Sequence, residues 1–358
     1  MTEAKILEVA SSMCKLKKTG LGYLGLCPFH KEMTPSFYVD PESGTYKCFC
    51  CGESGNAVSF LMKLKGMTYD EAVKALGHKD GCRPMGSDIV EGRTLKELYK
   101  KAAVYYLYNL NKDGSAYKYL TDRGLSIETI KKFGLGYAPK KGGLYKKMKG
   151  EYPKEVLEKS ELFNMQYGLD KFWNRVMFPI FDLENKVVAF GGRVMGDGTP
   201  KYLNSNETPI FDKSGLLYGL NFAKDSKKKY MLLCEGYMDV ISLHQAGFDN
   251  AVASLGTALT TSQAELLAGF TKHVVITYDS DEAGVNAAKR AVPMLKKAGI
   301  TPRILDMKPY KDPDEFIKAL GKEEYDKRIA ASVPADEWLI KNEPDRKKKI
   351  EMLIDMLG

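Results

Sequence analysis

Between residues 229 and 320, short apolar runs alternate in strict order with helix-forming stretches. YMLLC, NAVAS, HVVITYD and PRILD read as buried strands. MDVISLHQAG, SQAELLAGF, EAGVNAAKRAVPMLKKAG and PDEFIKAL, which follow them in turn, read as helices. A parallel strand pair needs a crossover long enough to hold a helix, so this alternation predicts a mostly parallel α/β sheet. Pro293 lies inside the third helical stretch and is expected to kink or split it, because proline lacks an N–H and crowds the preceding turn.

The acids of this region fall where strands end. Glu235 follows MLLC, Asp279 closes HVVITYD, Asp281 comes two residues later, and Asp312 and Asp314 lie in KDPDEF after the fourth strand. In a parallel sheet the C-terminal strand edges form the ligand crevice, so these carboxylates are expected to meet. Such a cluster of like charges is costly unless cations occupy it. Hard oxygen ligands select Mg2+ or Mn2+. Two such ions can activate a hydroxyl and stabilise a leaving oxygen in phosphoryl transfer. Plainer uses exist: Asp312 before Pro313 also reads as a helix N-cap. Asp239 reads as a helical residue open to the surface, His244 and His273 as structural, and Cys234 as core.

At the other end of the chain, CPFHKEMTPSFYVDPESGTYKCFCC holds four of the seven cysteines. Cys27 and His30 are separated by two residues, as are Cys48 and Cys51, with residues 31–47 between the pairs. A tetrahedral zinc site needs four such ligands on short turns, and a filled set of four is structural. The spacing selects Cys48 with Cys51 and leaves Cys50 as a spare thiol. Lys31, Thr34, Phe37, Tyr38, Tyr46, Lys47 and Phe49 would then either offer a basic and aromatic face suited to single-stranded nucleic acid or, for the aromatics, simply pack the ribbon. The next stretch, GNAVSFLMKLKG, places Ala57, Phe60, Leu61 and Leu64 on one helical face. Thr68 and Glu71 form a capping box that opens a second short helix.

The expected organisation is a metal module over 1–77 and a glycine-rich polar linker over 78–92. A mixed α+β basic region follows over 93–228, then the parallel α/β region over 229–320 and a charged helical tail over 321–358. Within the basic region TLKELYKKAAVYYLYNL reads as a helix, VMFPIFD and KVVAFGGRV as strands, and PKYLNSNETPIFDKSG as an ordered polar loop. A formal net charge of +8 suits a polyanionic partner. No run of about eighteen apolar residues predicts a membrane span. MTEAKILEVA has no secretory pattern, and clustered cysteines in such a chain point to metal and a reducing, cytosolic compartment.

Several long motifs make the chain resemble the bacterial and phage DnaG-type primases. GLCPFHKEMTPSF and YKCFCCGESGNAVSFLM resemble the primase zinc ribbon; MFPIFDLENKVVAFGGRV and TPKYLNSNETPIFDKS resemble the basic half of its polymerase domain. LLCEGYMDVISLHQAGFDNAVASLGTALT, TYDSDEAGVNAA and KDPDEF resemble its TOPRIM half. The resemblance implies synthesis of short RNA primers from ribonucleoside triphosphates on a single-stranded DNA template, with one structural Zn2+ and catalytic Mg2+ or Mn2+. It implies that Glu235, Asp279 and Asp281 are catalytic, and that Asp239, Asp312 and Asp314 share the metal site with them. It also implies that Arg123, Arg193, Lys201, Asn204 and Lys213 line the template and nucleotide groove. Helicase binding in the family rests on a further domain, and the sequence to Gly358 is expected to lack it. The competing readings are a TOPRIM nuclease, which needs neither ribbon nor groove, and a zinc-ribbon strand binder without catalysis, which needs no acids.

Overall fold

The computed structural model describes residues 3–20, 22–42, 44–51, 53–67, 72, 75–76, 86–256, 258–343, 345 and 347–351. The expected Thr68–Glu71 capping box, Gly52, Cys82 and positions 78–85 of the expected linker lie outside these residues. The chain divides into two compact units, Met1–Thr94 and Leu95–Gly358.

In the first unit α1 (Glu3–Ser11) precedes five short strands: β1 (Leu16–Thr19), β2 (Gly22–Gly25), β3 (Phe37–Asp40), β4 (Thr45–Cys48) and β5 (Ser54–Asn56). They pair antiparallel in sequential order, as short connections between strands dictate. Helix α2 (Ala57–Lys65) closes the unit's core with Ala57, Phe60 and Leu61. Phe29 stacks on Tyr46 with centroids 5.5 Å apart, and Phe60 stands edge-on to both. Of the aromatics read either as a base-facing surface or as ribbon packing, Phe37 and Tyr46 pack: they are 0% and 2% exposed. A unit this small has little other apolar material, so its aromatics are drawn inward. Phe49 does remain exposed, with the Lys47 ammonium 5.5 Å from its ring.

Helix α3 (Gly86–Lys112) starts inside the stretch expected as linker, so 86–92 is helical. SDIVEGRTLKEL contains no proline to stop it. Asp113 caps α4 (Gly114–Asp122), and Ser126 caps α5 (Ile127–Lys132). The remaining strands here are β6 (Gly136–Ala138), the small hairpin β7 (Phe163–Asn164) with β8 (Leu169–Asp170), β9 (Arg175–Phe181), β10 (Val187–Val194) and β11 (Tyr202–Asn204). The sheet runs β11-β10-β9-β6, antiparallel throughout. The stretch expected as a loop therefore supplies edge strand β11, and also a 3₁₀ turn at Lys213–Gly215.

The α/β region follows as β12 (Met231–Cys234), α6 (Tyr237–Gln245), β13 (Ala251–Ala253), α7 (Thr261–Ala268), β14 (His273–Ile276), α8 (Glu282–Lys297) and β15 (Thr301–Ile304). It ends with α9 (Pro313–Ala330), β16 (Val333–Pro334) and α10 (Ala335–Lys341). The order is β13-β12-β14-β15-β16, parallel except for β16. Two expectations are corrected. Pro293 sits within an unbroken α8, whose buried Ala288, Ala291, Val292 and Leu295 hold the turn against the core. The tail contributes β16, a two-residue edge strand too short to leave a period, where Pro334 is tolerated. The helical break falls instead at Gly321 within α9, where φ is +77°.

His244 is buried as expected. Its Nε2 lies 2.9 Å from the Ala251 carbonyl and must donate; Nδ1, 3.2 Å from Lys132 Nζ, must accept. Burial holds its pKa down at about 4. No helix among the described residues is long and apolar enough to cross a membrane.

Candidate metal centres and nucleic-acid groove

The β2–β3 turn carries Cys27 and His30, and the end of β4 carries Cys48 and Cys51. One ligand atom from each of the four lies within 4.8 Å of all the others. Cys27 Sγ and Cys51 Sγ are 3.9 Å apart, and Cys48 Sγ is 4.0 Å from His30 Nδ1. Zinc–sulfur bonds of about 2.3 Å give a tetrahedral edge of about 3.7 Å, so three thiolates and an imidazole so spaced fit one Zn2+. Burial acts to raise the Cys48 thiol, but the Ser36 hydroxyl and the Cys51 and Cys50 N–H groups bring it down to about 6. Cys50 is exposed and stays out of this set.

Glu32, not singled out from the sequence, braces the turn. Its Oε1 accepts from the Cys27 N–H at 2.7 Å and the Ser36 N–H at 3.2 Å, and Oε2 accepts from Ser36 Oγ. His30 Nε2 lies 3.2 Å from Oε2 without hydrogen-bond alignment, leaving Nδ1 toward the thiols. The signal was a carboxylate two residues after a candidate ligand histidine.

In the second unit β12 and β14 are neighbours, and their connections leave in opposite directions. That makes their C-terminal ends the topological switch point of the sheet. Glu235 follows β12, and its Oε1 accepts the Asp279 N–H beyond β14 at 3.0 Å. Position 284 must be glycine, since a Cβ there would stand 2.0 Å from the Asp279 carbonyl and 2.9 Å from Glu235 Oε1. The Ser280 N–H donates to the Lys311 carbonyl at 2.7 Å, which brings the Lys311–Asp312 loop to the same edge.

Four of the acids, Glu235 among them, share a construction: a backbone N–H fixes one oxygen. Asp281 Oδ1 takes the Gly284 N–H at 3.0 Å, Asp312 Oδ1 the Glu315 N–H at 2.8 Å, and Asp239 Oδ2 the Gly236 N–H at 3.0 Å. Asp312 is thus the N-cap of α9, with Pro313 in its first turn. Asp239, expected to be open to the surface, is buried, because the first turn of α6 points into the sheet edge. Burial, then the nearby acids, raise its carboxyl well above the usual range. Burial and Asp279 raise Glu235; burial also raises Asp279, against the pull of Lys311. Lys311 Nζ, missed in the sequence although it adjoins Asp312, lies 3.3 Å from Asp279 Oδ2 and 3.9 Å from Asp281 Oδ2.

Asp314 is differently occupied. Arg123 Nη2 lies 3.1 Å and Lys318 Nζ 2.6 Å from its Oδ2, and the Ser242 hydroxyl donates to Oδ1. Among the expected groove residues, Arg123 therefore joins the acid cluster. Asn204 does so indirectly: its Oδ1 accepts from the hydroxyl of Tyr237, two residues past Glu235, at 2.8 Å, and its Nδ2 donates to the Leu255 carbonyl at 3.0 Å. Arg193 lies over the Tyr119 and Tyr202 rings and donates to the Tyr202 hydroxyl at 2.9 Å. Lys201 is exposed in the bend just before β11, and Lys213 stands in the 3₁₀ turn.

Three families of known domains match the chain in succession: the CHC2 zinc finger over 1–88, the N-terminal domain of the DNA primase catalytic core over 105–224, and a Toprim-like domain over 232–317. A DNA primase of Clostridium acetobutylicum is 44% identical over 94% of the chain, which spans 58% of that relative's length. The crystal structure of the zinc-binding and RNA polymerase domains of Aquifex aeolicus primase superposes with a TM-score of 0.68. It is 38% identical and covers 97% of this chain and 88% of its own. A DnaG primase catalytic domain bound to single-stranded DNA is 36% identical, with a TM-score of 0.66, over 71% of this chain and 83% of its own.

Proposed function

This chain belongs to the DnaG-type DNA primases, and from that premise we propose that it joins ribonucleoside triphosphates into short RNA primers on a single-stranded DNA template in the cytoplasm. The observation that carries the reading is the pairing of Glu235 with Asp279 at the switch point of the parallel sheet. There a 3′-hydroxyl attacks the α-phosphorus of the incoming triphosphate; a new P–O bond forms and the bond to pyrophosphate breaks.

In this reading Glu235, Asp279 and Asp281 are the catalytic acids, and Asp239, Asp312 and Asp314 complete the set for Mg2+ or Mn2+. When bound, those ions lower the pKa of the attacking hydroxyl and balance the charge on the leaving group. The chain's own part is orientation. Backbone donors aim the second oxygens of Glu235, Asp239, Asp281 and Asp312, and Lys311 balances Asp279 and Asp281. Arg123, Arg193, Lys201, Asn204 and Lys213 hold phosphates and sugars, which positions a strand without reading its sequence. A relative's catalytic domain bound to single-stranded DNA supports that template class. Cys27, His30, Cys48 and Cys51 hold one Zn2+ that stiffens a template-reading ribbon. The division into ribbon 1–77, basic subdomain 93–228, TOPRIM subdomain 229–320 and tail 321–358 is part of this reading, with the linker confined to the residues before α3.

The test is primer synthesis on single-stranded DNA of varied sequence, with labelled ribonucleotides and Mg2+ or Mn2+, beside Asp279→Ala. Short ribonuclease-sensitive products absent from the variant are expected. Cleaved DNA in their place would overturn the reading in favour of a nuclease.

A further inference from the structure

The ribbon holds a second convergence of metal-binding atoms. His30, Glu32 and Cys50 each place one donor atom within 4.8 Å of the other two. This set shares only the imidazole with Cys27, His30, Cys48 and Cys51, and it takes up the thiol that those four leave over.

The shared ring meets the two sets with different atoms. Nδ1 lies 4.0 Å from Cys48 Sγ, and Nε2 lies 3.2 Å from Glu32 Oε2. The lone pairs of the two ring nitrogens diverge, so one ring can serve two ions. The contact with Glu32 is not a hydrogen bond: Nε2 is buried and has no hydrogen-bond partner among the described residues. Folded chains ordinarily avoid such an orphan. A metal accounts for both the closeness and the misalignment. Bonds of about 2.0–2.1 Å to nitrogen and oxygen give a tetrahedral edge of about 3.3 Å.

The other two donors are held in place. Glu32 is fixed by the Cys27 and Ser36 N–H groups on Oε1, and its side chain is 8% exposed. The backbone is tied on both sides of Cys50. The Phe49 N–H donates to the Ser36 carbonyl at 2.9 Å, and the Cys51 N–H lies 3.4 Å from Cys48 Sγ. Cys50 itself is exposed. Nitrogen, oxygen and sulfur together suit Zn2+ and ions like it, whereas Mg2+ and Ca2+ take oxygen. Three protein ligands leave a fourth position for water, which a structural site filled by four does not have.

We propose that His30 Nε2, Glu32 Oε2 and Cys50 Sγ bind a second divalent ion of the zinc class, which His30 bridges to the ribbon's Zn2+ as an imidazolate. Two protons leave as the ion binds, one from Cys50 Sγ and one from His30 Nε2, because Nδ1 already serves the first ion. The inference rests on reading Cys27, His30, Cys48 and Cys51 as zinc ligands, and not on primer synthesis.

The test titrates Co2+ into the full chain, loaded with zinc and kept in excess Mg2+ so that the carboxylates of the second unit are occupied. A thiolate bound to Co2+ gives an intense near-ultraviolet charge-transfer band that carboxylates do not give. Zinc content is measured before and after. The band is expected to saturate at one Co2+ per chain, with one zinc per chain retained throughout. A pH indicator at pH 7 should record two protons released per Co2+. Cys50→Ser, at an exposed position, should keep its zinc and lose the band. Glu32→Gln, with zinc kept saturating, should weaken cobalt binding about tenfold or more. The proposal fails if no band saturates, if the band survives Cys50→Ser, or if a single proton is released, which would remove the bridge. It also fails if zinc leaves in step with cobalt uptake, which would place the cobalt among the inner four ligands. A parent chain that retains no zinc before cobalt is added would overturn the reading of those four ligands, and the bridge with it.

Discussion

The thiol cluster of the ribbon and the acid cluster of the parallel sheet both gather groups that bind cations, yet they are assembled by different means. The ribbon brings four donor atoms within 4.8 Å from two turns of one small sheet. The acids arrive from the ends of β12 and β14, the first turn of α6 and the start of α9. Each keeps one oxygen on a backbone N–H or a lysine. Burial raises Glu235, Asp279 and Asp239, whereas hydrogen-bond donors bring Cys48 down to about 6 against burial. Convergence of soft ligands is a local property of spacing. Convergence of carboxylates is a property of strand order, and backbone donors and Lys311 limit its electrostatic cost.

The largest test of this contrast is to remove the ribbon's metal. Structural zinc in such modules stabilises folding by about 10 kcal/mol or more. A chelator, or Cys48→Ser, is expected to unfold the unit Met1–Thr94 while Leu95–Gly358 keeps its fold, since the two are separately compact. Hydrogen exchange resolves this: amides of β2–β4 should lose protection while those of β12–β15 keep it. Loss in both would mean that the units do not stand apart.

Asp279→Asn gives the opposite signature. It removes one charge from the cluster proposed to hold the catalytic cations, an effect worth several kcal/mol of barrier. Primer synthesis should fall by about 10³-fold or more, with binding of single-stranded DNA within a few-fold of the parent and an unchanged melting profile. Weakened DNA binding in step with activity would place Asp279 in the groove rather than in the chemistry.

The same contrast explains what could be read in advance. The Cys27–His30 and Cys48–Cys51 spacing carries its own geometry, so which four donor atoms gather was legible residue by residue. The strand–helix alternation located the acids at one sheet edge, because strand ends in a parallel sheet share that edge. What each acid touches was not legible. Lys311 reaches Asp279 only because a loop pairs with Ser280, and Arg123 reaches Asp314 across 191 positions of chain. The inward turn of Phe37 and Tyr46 followed from a shortage of core material, which an aromatic count does not reveal. Strand β16 and the unbroken α8 around Pro293 were set by packing on neighbours, not by period.

Each unit also places a histidine in a polar setting, and the settings differ. His30 stands between thiols and the Glu32 carboxylate, whereas His244 is enclosed between the Lys132 ammonium and the Ala251 carbonyl. His244 titrates at about 4 in the fold against a reference of 6.5. Above pH 6.5 both states are neutral there. As pH falls from 6.5 toward 4 the unfolded chain takes up a proton that the folded one refuses, so stability is lost. The loss amounts to about 3 kcal/mol by pH 4. Urea unfolding of the second unit at pH 7, 5.5 and 4.5 should show this slope, and His244→Gln should flatten it, whatever the variant costs at pH 7. An unchanged slope in the variant would assign acid sensitivity to other groups.

The smallest expected effect isolates how the ribbon orients its imidazole. Glu32 touches none of the four ligand atoms by hydrogen bond except through the backbone of Cys27, yet it fixes the turn from both sides. Glu32→Gln keeps an amide oxygen for the Cys27 and Ser36 N–H groups but removes the negative charge 3.2 Å from His30 Nε2. Outer partners of metal ligands are worth about 10- to 100-fold in metal affinity. Competition with a chromophoric chelator should show zinc affinity falling within that range, with β3 and β4 still protected once zinc is saturating. A loss as large as that of Cys48→Ser would make Glu32 a ligand in its own right, together with His30 and Cys50, whose donor atoms also lie within 4.8 Å of one another. No loss at all would mean that spacing alone orients His30, and the ribbon would then be even more local in its construction than the acid cluster is distributed.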